Sequence, residues 1–382
     1  MEKKKLLIFH PYLAPYRIDL YNRLSKDFDT SVLLTGPKWE KKSLGFDLKE
    51  VNNNASFQFR YYDSGMYIGR QLLSLIYFKQ IISTKPDVVM AHELGINTFA
   101  ALLMKPFFHY KLFVTLDDSP EMVKCISLFR KLLQRIIVKY SDFILVVHPE
   151  VERILKDRYG ENPRSNFIFF PIIQDDEILT GKLLKAEKLI NDVTLKYTLL
   201  NYKIILFVGR LEPAKNPLLL LKIFNTLKRN DVKLVIVGSG SQESVLKKYV
   251  EDEKLDASVI FTGQLSGSSL YIWFRLADLF VLPSIHEPFG AVINEALVAG
   301  CYVIVSDRAG ASSLVDNSNG KVFDYDNEKE LFNLINQGLE EVSLSKNKGK
   351  RSNKMRVTFS EFYRKIKSLM LGKDRTQFSY MN

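Results

Sequence analysis

Hydrophobic residues in this chain fall into short, nearly continuous runs rich in Val, Ile, Leu and Phe, separated by longer amphipathic stretches. Continuous apolar runs of this length are typical of parallel strands that are buried on both faces. The pattern therefore predicts eleven strands, at 5–10, 31–35, 87–91, 111–116, 143–147, 167–170, 203–208, 233–237, 259–262, 279–282 and 302–306.

In most of the intervals between these runs, the apolar residues recur with the spacing of a helix. Strands that alternate with helices predict an α/β protein with parallel sheets. Eleven strands are many for one sheet, so we expect two Rossmann-like, doubly wound domains that face each other across a cleft. The predicted helices lie at 18–25, 70–83, 96–105, 217–229, 243–253, 289–299 and 358–371.

The polar, charge-rich interval between the two sets of strands suggests where one domain ends. We predict a first domain at 1–180, a linker at 181–202 and a second domain at 203–345. A basic tail with a C-terminal helix follows at 346–382, and its helix can pack on either domain.

Composition narrows the class of protein. The chain is 46% hydrophobic and 25% charged, which excludes a disordered or fibrous protein. Its cysteines, Cys125 and Cys301, cannot form a disulfide framework and suit a reducing compartment. The apolar run near the N-terminus is too short for a signal peptide, and no run reaches the ~18 apolar residues of a membrane span. We therefore expect a soluble, cytoplasmic protein.

The formal net charge of +11 is unevenly distributed. Residues 1–200 and the segment from 336 onward are basic, whereas 201–335 carries a small negative net charge, so one part of the protein is expected to meet an anionic surface. Nucleic acid is not expected, because no zinc-finger spacing, RNA-binding signature or helix-turn-helix pattern is present. Segment 121–140 has helical spacing and five cations, which fits either an anionic membrane surface or a core helix with solvated charges.

A candidate anion site follows the strand predicted at 203–208. Gly209 ends the strand, Arg210 and Lys215 project from the loop, and Asn216 and Pro217 provide an N-cap and a first helical residue. Free backbone N–H groups, the helix dipole and two cations suit a diphosphate. The alternative is an ordinary loop with two solvated charges.

Two carboxylates follow the strand predicted at 279–282. Glu287 lies at its carboxyl end and Glu295 near the start of the next helix, where carboxylates can accept hydrogen bonds from sugar hydroxyls. Alternatively, Glu287 caps the helix and Glu295 is simply exposed. A further Gly238-Ser-Gly240 turn indicates only a tight turn or a close backbone approach.

Together, these motifs resemble those of the retaining nucleotide-sugar glycosyltransferases of the GT4 family, group 1 type. The similarity is carried by Gly209-Arg-Leu, Lys215-Asn, Val237-Gly-Ser-Gly and Glu287-Pro-Phe-Gly, with Glu295 completing an E-x7-E element. It is firm over about 200–325 and loose over the N-terminal half. The resemblance implies the GT-B fold, with the acceptor bound by the first domain and the nucleotide-sugar donor by the second.

The resemblance also implies residue roles. Arg210 and Lys215 would bind the donor diphosphate and stabilise it as it leaves, without a metal ion. Glu287 would hold the donor sugar and Glu295 the ribose hydroxyls. Further donor-binding residues implied are Gly209, Gly238, Phe289 and Gly290.

The chain departs from the family pattern in three places. The first loop, 10–17, lacks the expected glycines and more closely resembles that of family members that build surface polysaccharides. Ser313 stands where a glutamate is usual, and Asp117 stands where many relatives carry a histidine after the fourth strand. Arg17, His92 and Asp117 are the acceptor-side candidates. His92 could instead satisfy backbone groups, and Asp117 with Asp118 could cap the following helix.

The sequence therefore predicts a metal-independent, retaining glycosyltransferase without a cofactor or metal site. It would move a sugar from a nucleoside-diphosphate sugar to a hydroxyl of a glycan or lipid-linked acceptor in surface polysaccharide biosynthesis. It would act in the cytoplasm, peripherally at the inner face of the cell membrane. A nucleotide-sugar epimerase on the same fold and a non-catalytic nucleotide-sugar-binding protein are the alternatives.

Overall fold

The computed structural model describes residues 2–36, 48–68, 71–124, 126–160, 166–341 and 351–372. These residues form two compact units. The first comprises residues 1–174 together with the C-terminal segment from 359, and the second comprises 175–358. The C-terminal helix thus belongs to the first unit.

The first unit is built on a seven-stranded parallel sheet. Its strand order is β3-β2-β1-β6-β7-β8-β9, and a separate antiparallel pair is formed by β4 and β5. The strands are β1 (Lys5–His10), β2 (Asp29–Leu34), β3 (Gln58–Tyr61), β4 (Met66–Ile68), β5 (Gln71–Leu73), β6 (Val88–His92), β7 (Lys111–Leu116), β8 (Phe143–Val146) and β9 (Asn166–Phe169).

Helices connect these strands, and their apolar faces form a buried core with the sheet. Leu7 and Phe9 of β1, Val89 of β6 and Val114 of β7 are fully buried in it. The helices are α1 (Pro15–Asp27), α2 (Leu48–Asn53), α3 (Ile76–Thr84), α4 (Ile96–Phe108), α5 (Pro120–Lys124), α6 (Leu128–Tyr140), α7 (Pro149–Tyr159) and, after the second unit, α15 (Phe359–Leu371).

The second unit has a six-stranded parallel sheet in the order β12-β11-β10-β13-β14-β15. Its strands are β10 (Lys203–Val208), β11 (Val232–Val237), β12 (Val259–Gly263), β13 (Leu279–Leu282), β14 (Tyr302–Ser306) and β15 (Gly320–Phe323). Its α-helices are α8 (Asp176–Ala186), α9 (Ile190–Lys196), α10 (Pro217–Leu227), α11 (Glu243–Asp252), α12 (Gly267–Leu276), α13 (Val292–Val298) and α14 (Glu328–Glu341).

All eleven predicted strands are confirmed to within two residues at either end, and so is the α/β class with two parallel sheets. Other predictions differ from the structure. The helices predicted at 18–25 and 289–299 begin at Pro15 and Val292, and the helix predicted at 96–105 ends at Phe108. The helix predicted at 70–83 begins at Ile76, because residues 71–73 form β5. Segment 121–140 forms two helices rather than one. The interval 181–202 is largely helical and groups with the second unit.

Both sheets share one topological property that positions the functional residues. The strand order reverses between β1 and β6 in the first sheet and between β10 and β13 in the second. Ligands of open α/β sheets bind beyond the carboxyl ends of the strands at such switch points. Each unit therefore has one favoured place for a ligand. Among the helices of the described residues, none is long and apolar enough to cross a bilayer.

Candidate functional site

The loops after β10 and β13 meet at the switch point of the second sheet. The backbone N–H groups of Ile285 and His286 donate to the Ala214 carbonyl oxygen at 2.9 and 3.2 Å. Glu287 then forms a parallel bridge with Ala309, which follows β14. These bonds bring the three loops after β10, β13 and β14 to one place.

An ion pair lies where these loops meet. The Lys215 ammonium group donates a hydrogen bond to Oε2 of Glu287. The two side chains are only 15% and 10% exposed, so the charges are largely removed from water. Arg210, by contrast, is exposed at the end of the neighbouring strand. A partly dehydrated cation and carboxylate, with an exposed guanidinium in the same loop as the cation, can bind a ligand that carries both phosphate and hydroxyl groups.

Glycines let the backbone approach closely in this region. Gly238 has φ +144°, and a Cβ atom there would lie 1.9 Å from the carbonyl oxygen of Gly209. The Gly209 N–H in turn donates to the Val237 carbonyl oxygen at 3.0 Å. The Gly-Ser-Gly turn is therefore a close approach of two strand ends, one of the two explanations that the sequence left open.

The segment after Glu287 is held by backbone bonds to the turn after β14. Gly310 N–H donates to the Glu287 carbonyl oxygen at 3.3 Å, and Ala311 N–H donates to that of Phe289 at 2.7 Å. Phe289 is buried, and Gly290 adopts φ +90°, which favours glycine. These contacts fix the backbone that presents Glu287. Glu287 does not cap a helix, because α13 begins five residues later.

Glu295 lies in the first turn of α13 and is half-buried. Its Oε1 accepts a hydrogen bond from the Tyr271 hydroxyl at 3.3 Å, and the Lys182 ammonium group lies 5.5 Å from the Tyr271 ring centroid. The interpretation of Glu295 as a merely exposed side chain is therefore wrong. Its carboxylate is held beside an aromatic hydroxyl.

Asn216 and Ser313 each form part of a turn in this unit. Pro217 is the first residue of α10, as predicted, and Asn216 occupies the N-cap position. However, Asn216 has φ +52° and its side chain makes no capping hydrogen bond, so it provides a left-handed turn rather than a cap. Ser313 donates from its hydroxyl to the Gly310 carbonyl oxygen at 2.8 Å, which closes the turn after β14.

In the first unit, the switch point holds a second polar cluster. His10 ends β1 and His92 ends β6, and their ring centroids are 4.1 Å apart. Asp117, just after β7, forms an ion pair with Arg17 of α1, and the Arg17 guanidinium also lies 5.0 Å from the Phe170 ring centroid. The cluster therefore joins the carboxyl ends of β1, β6 and β7 with α1.

This cluster is buried and incompletely hydrogen-bonded. His10 and Arg17 are 2% and 3% exposed. Nε2 of His10 and Oδ2 of Asp117 are buried and have no hydrogen-bond partner within the described part of the chain. Buried polar atoms are nearly always satisfied, so unpaired ones at a switch point indicate where a ligand group or water binds. His92 has a partner, since its Nδ1 lies 3.2 Å from the Thr115 hydroxyl oxygen.

Burial and charge set the protonation states here. Burial lowers the pKa of His10 well below its usual value, and His92 lowers it further, so His10 is neutral near pH 7. Burial alone would raise the pKa of Asp117, but the Arg17 charge and both histidines outweigh it and lower that pKa. For Asp118, burial and the nearby Glu93 and Asp117 raise the pKa to about 7.

The same cluster contains potential metal ligands. His10, His92 and Asp117 each offer one ligand atom, and these atoms lie within 4.8 Å of one another. Two imidazoles and a carboxylate can bind a transition metal. Here, however, the Arg17 guanidinium already forms an ion pair with Asp117. A fixed positive charge in contact with one of the three ligands repels a divalent cation. An ion pair with a neutral imidazole describes the cluster better than a metal centre does.

The structure thus brings the sequence-predicted residues together in two groups. Lys215 and Glu287 pair in the second unit, while Arg210 follows β10 and Glu295 lies in the first turn of α13 in the same unit. Arg17, Asp117 and His92 meet in the first unit. Sequence reasoning missed His10, and the only available signal was its position at the end of the first strand.

Comparisons with known proteins find similarity to glycosyltransferases. Residues 196–355 match the family described as glycosyl transferases group 1. An N-acetylgalactosamine-N,N'-diacetylbacillosaminyl-diphospho-undecaprenol 4-alpha-N-acetylgalactosaminyltransferase of Campylobacter jejuni is 28% identical over 274 residues, which cover 67% of this chain and 71% of that protein. A lipopolysaccharide 1,2-N-acetylglucosaminetransferase of Salmonella typhimurium is 34% identical over 122 residues, which are 29% of this chain and only 32% of that protein.

Solved structures resemble the whole chain. A glycosyltransferase from Rickettsia africae superimposes with a TM-score of 0.74 at 18% identity, covering 98% of this chain and 100% of that one. Anabaena Alr3699/HepE in complex with UDP and glucose gives a TM-score of 0.70 at 17% identity, covering 96% and 99%. The chain has the GT-B fold and is similar to the group 1 glycosyltransferases.

Proposed function

We propose that this enzyme is a retaining, metal-independent glycosyltransferase. It transfers a sugar from a nucleoside-diphosphate sugar to a hydroxyl of a glycan or lipid-linked acceptor, in surface polysaccharide biosynthesis at the inner face of the cell membrane. The observation that carries the proposal is the buried Lys215–Glu287 pair at the switch point of the second sheet. The relatives named for lipid-linked and lipopolysaccharide acceptors, and the Anabaena complexes with UDP, support the substrate class.

In this proposal the donor binds at the ends of β10 and β13. The diphosphate lies beside Arg210 and Lys215, in the loop that follows Gly209, whose carbonyl group packs against Gly238. Glu287 binds hydroxyls of the donor sugar, and Glu295 binds the ribose. Gly209, Phe289 and Gly290 shape the same pocket through the backbone contacts described above.

The chemistry follows from these charges. As the bond between the anomeric carbon and the phosphate oxygen breaks, negative charge grows on the diphosphate and positive charge on the sugar. Arg210 and Lys215 stabilise the negative charge on the diphosphate, and Glu287 stabilises the positive charge on the sugar. Two side-chain cations thus take the role that a metal ion has in other transferases. The acceptor hydroxyl enters on the side of the leaving group and gives its proton to the departing phosphate oxygen, which conserves the anomeric configuration.

The acceptor side is proposed for the first unit. Arg17, His92 and Asp117 lie with His10 at its switch point, where Nε2 of His10 and Oδ2 of Asp117 have no hydrogen-bond partner among the described residues. A sugar hydroxyl that donates to Asp117 and contacts a neutral His10 would satisfy both atoms.

A transfer assay tests the proposal. The purified chain is incubated with a panel of UDP-, GDP-, ADP- and CMP-sugars and lipid-linked oligosaccharide acceptors in the presence of EDTA. NMR of the product reports the anomeric configuration. We expect transfer with retention that Arg210→Ala abolishes and that Lys222→Ala, an exposed cation on α10, leaves unchanged. Product with inverted configuration or a requirement for added metal would contradict the mechanism. Release of an epimerised sugar without acceptor would favour the epimerase alternative.

A further inference from the structure

The surface formed by α5 and α6 in the first unit carries exposed apolar side chains. Leu128, Phe129 and Leu132 of α6 are 83%, 75% and 59% exposed, and Met122 of α5 is 51% exposed. Side chains of this size that are exposed in a group mark an interaction site, since a globular protein scatters them singly. We call these four side chains, together with the exposed cations of α6, the α5–α6 surface.

Helical geometry explains how this surface is arranged. Ile137 and Val138 face the core, whereas residues 128, 132, 135 and 139 recur at spacings of four, three and four and form the opposite, exposed stripe. The stripe is apolar in its first half, with Leu128 and Leu132. It is cationic in its second half, with Arg135 and Lys139.

The charge of the α5–α6 surface indicates what kind of partner binds it. The segment 122–140 contains five Lys or Arg residues and no Asp or Glu. Lys124 pairs with Glu150 of α7, so the charge of the surface comes from the four cations of α6, and α4, which packs beside α6, lacks acidic residues. Exposed leucines followed by cations on one helix face match an anionic bilayer, in which apolar side chains enter the acyl boundary and cations meet lipid phosphates. A protein partner would need an apolar patch and acidic groups at matching positions, whereas a bilayer accepts this order of side chains on any helix that lies at its surface.

We propose that the α5–α6 surface docks the enzyme on an anionic lipid bilayer. This proposal rests on the proposed function in one respect: docking would bring the first unit to an acceptor that is anchored in lipid. Binding of the surface to lipid requires neither donor nor acceptor. Its failure can therefore be told apart from failure of the glycosyltransferase mechanism.

Sedimentation with vesicles tests the proposal on the full chain. Wild type is mixed with phosphatidylcholine vesicles with and without phosphatidylglycerol, and is compared with Leu128→Ser/Leu132→Ser and Lys131→Gln/Arg135→Gln. Leu195→Ser/Leu200→Ser is the matched control, since those leucines of the second unit are 79% and 70% exposed. Circular dichroism and thermal unfolding confirm that each variant is folded.

We expect wild type and the control to bind only vesicles that contain phosphatidylglycerol, with weaker binding at high salt. Each α6 variant should bind them at least tenfold more weakly. The proposal is overturned if wild type binds neither kind of vesicle, which would leave the surface to a protein partner. It is also overturned if the α6 variants bind as wild type does, or if the control loses binding equally.

Discussion

The Lys215 ammonium group pairs with the Glu287 carboxylate, joining the loops that follow β10 and β13 at the point where the second sheet reverses its strand order. A ligand that reaches this switch point meets both charges together. We therefore expect the pair to serve both the stability of the unit and the chemistry.

Variants of this pair should separate its two contributions. Lys215→Met or Glu287→Gln alone leaves a largely buried charge without its partner, and either should lower the free energy of unfolding by about 3 kcal/mol. The double variant should recover most of that loss, since no charge remains unpaired, yet its kcat should stay at least 100-fold below wild type. Urea unfolding and transfer kinetics measure the two effects. Recovery of activity in the double variant would show that the pair is only structural.

The close approach at Gly238 predicts a large effect from one methyl group. Gly238→Ala places a Cβ atom 1.9 Å from the Gly209 carbonyl oxygen, so the strand ends must separate. We expect a loss of about 3 kcal/mol or more in the free energy of unfolding, together with loss of donor binding. Gly263→Ala is the control, because Gly263 also has a positive φ but a Cβ there meets nothing within 4 Å. It should cost only about 1 kcal/mol. Equal losses in the two variants would refute the steric explanation.

Asp118 predicts an unusual dependence of stability on pH. Its pKa in the folded chain is about 7, above the unfolded value, so the folded state keeps a proton that the unfolded state has lost. The contribution of Asp118 to stability is therefore full below about pH 4 and is lost as the pH rises to about 7. Asp118→Asn should remove this loss and raise the free energy of unfolding at pH 8 by about 1–3 kcal/mol relative to wild type, with little change at pH 4.5. Urea unfolding at both pH values measures it. A constant difference between the two proteins would contradict the assignment.

Asp117 should behave in the opposite way. Its pKa lies below the ordinary value because Arg17 and both histidines outweigh burial, so the contribution of this carboxylate is present above about pH 4 and is lost as the pH falls further. Asp117→Asn leaves the Arg17 guanidinium buried without its counter-charge, and we expect it to cost about 3 kcal/mol at pH 7. Arg17→Met/Asp117→Leu should recover much of that stability. If the cluster binds the acceptor, the double variant should still raise the acceptor KM without changing donor affinity. An unchanged acceptor KM would remove these residues from the acceptor site.

Much of the fold could be predicted because buried parallel strands leave a strong local signal. Every strand whose residues form a continuous apolar run was found. β15, with its lysine, the three-residue β4 and β5, and the edge strand β3 carry no such run and were missed. Helix α3 was extended too far because Gln71-Leu72-Leu73 has an apolar pattern that strand pairing with β4 overrides.

The candidate site was predictable only where its residues share a loop motif. Arg210, Lys215, Glu287 and Glu295 stand in short motifs with fixed spacing. The cluster in the first unit has no such signature, because His10, His92 and Asp117 come from strands far apart in the sequence. Only the order β1-β6-β7 in the sheet brings them together. The Arg17–Asp117 pair spans 100 positions for the same reason.

The central claim is that a nucleoside-diphosphate sugar binds beside Arg210, Lys215 and Glu287 without metal. Isothermal titration of wild type, Arg210→Ala and Lys222→Ala with UDP, GDP, ADP and CMP, each in EDTA, tests it most directly. We predict that one nucleotide binds wild type and Lys222→Ala equally and Arg210→Ala at least tenfold more weakly, since a charged hydrogen bond to phosphate is lost. Binding that Arg210→Ala leaves unchanged, or no binding of any nucleotide to well-folded protein, would contradict the claim.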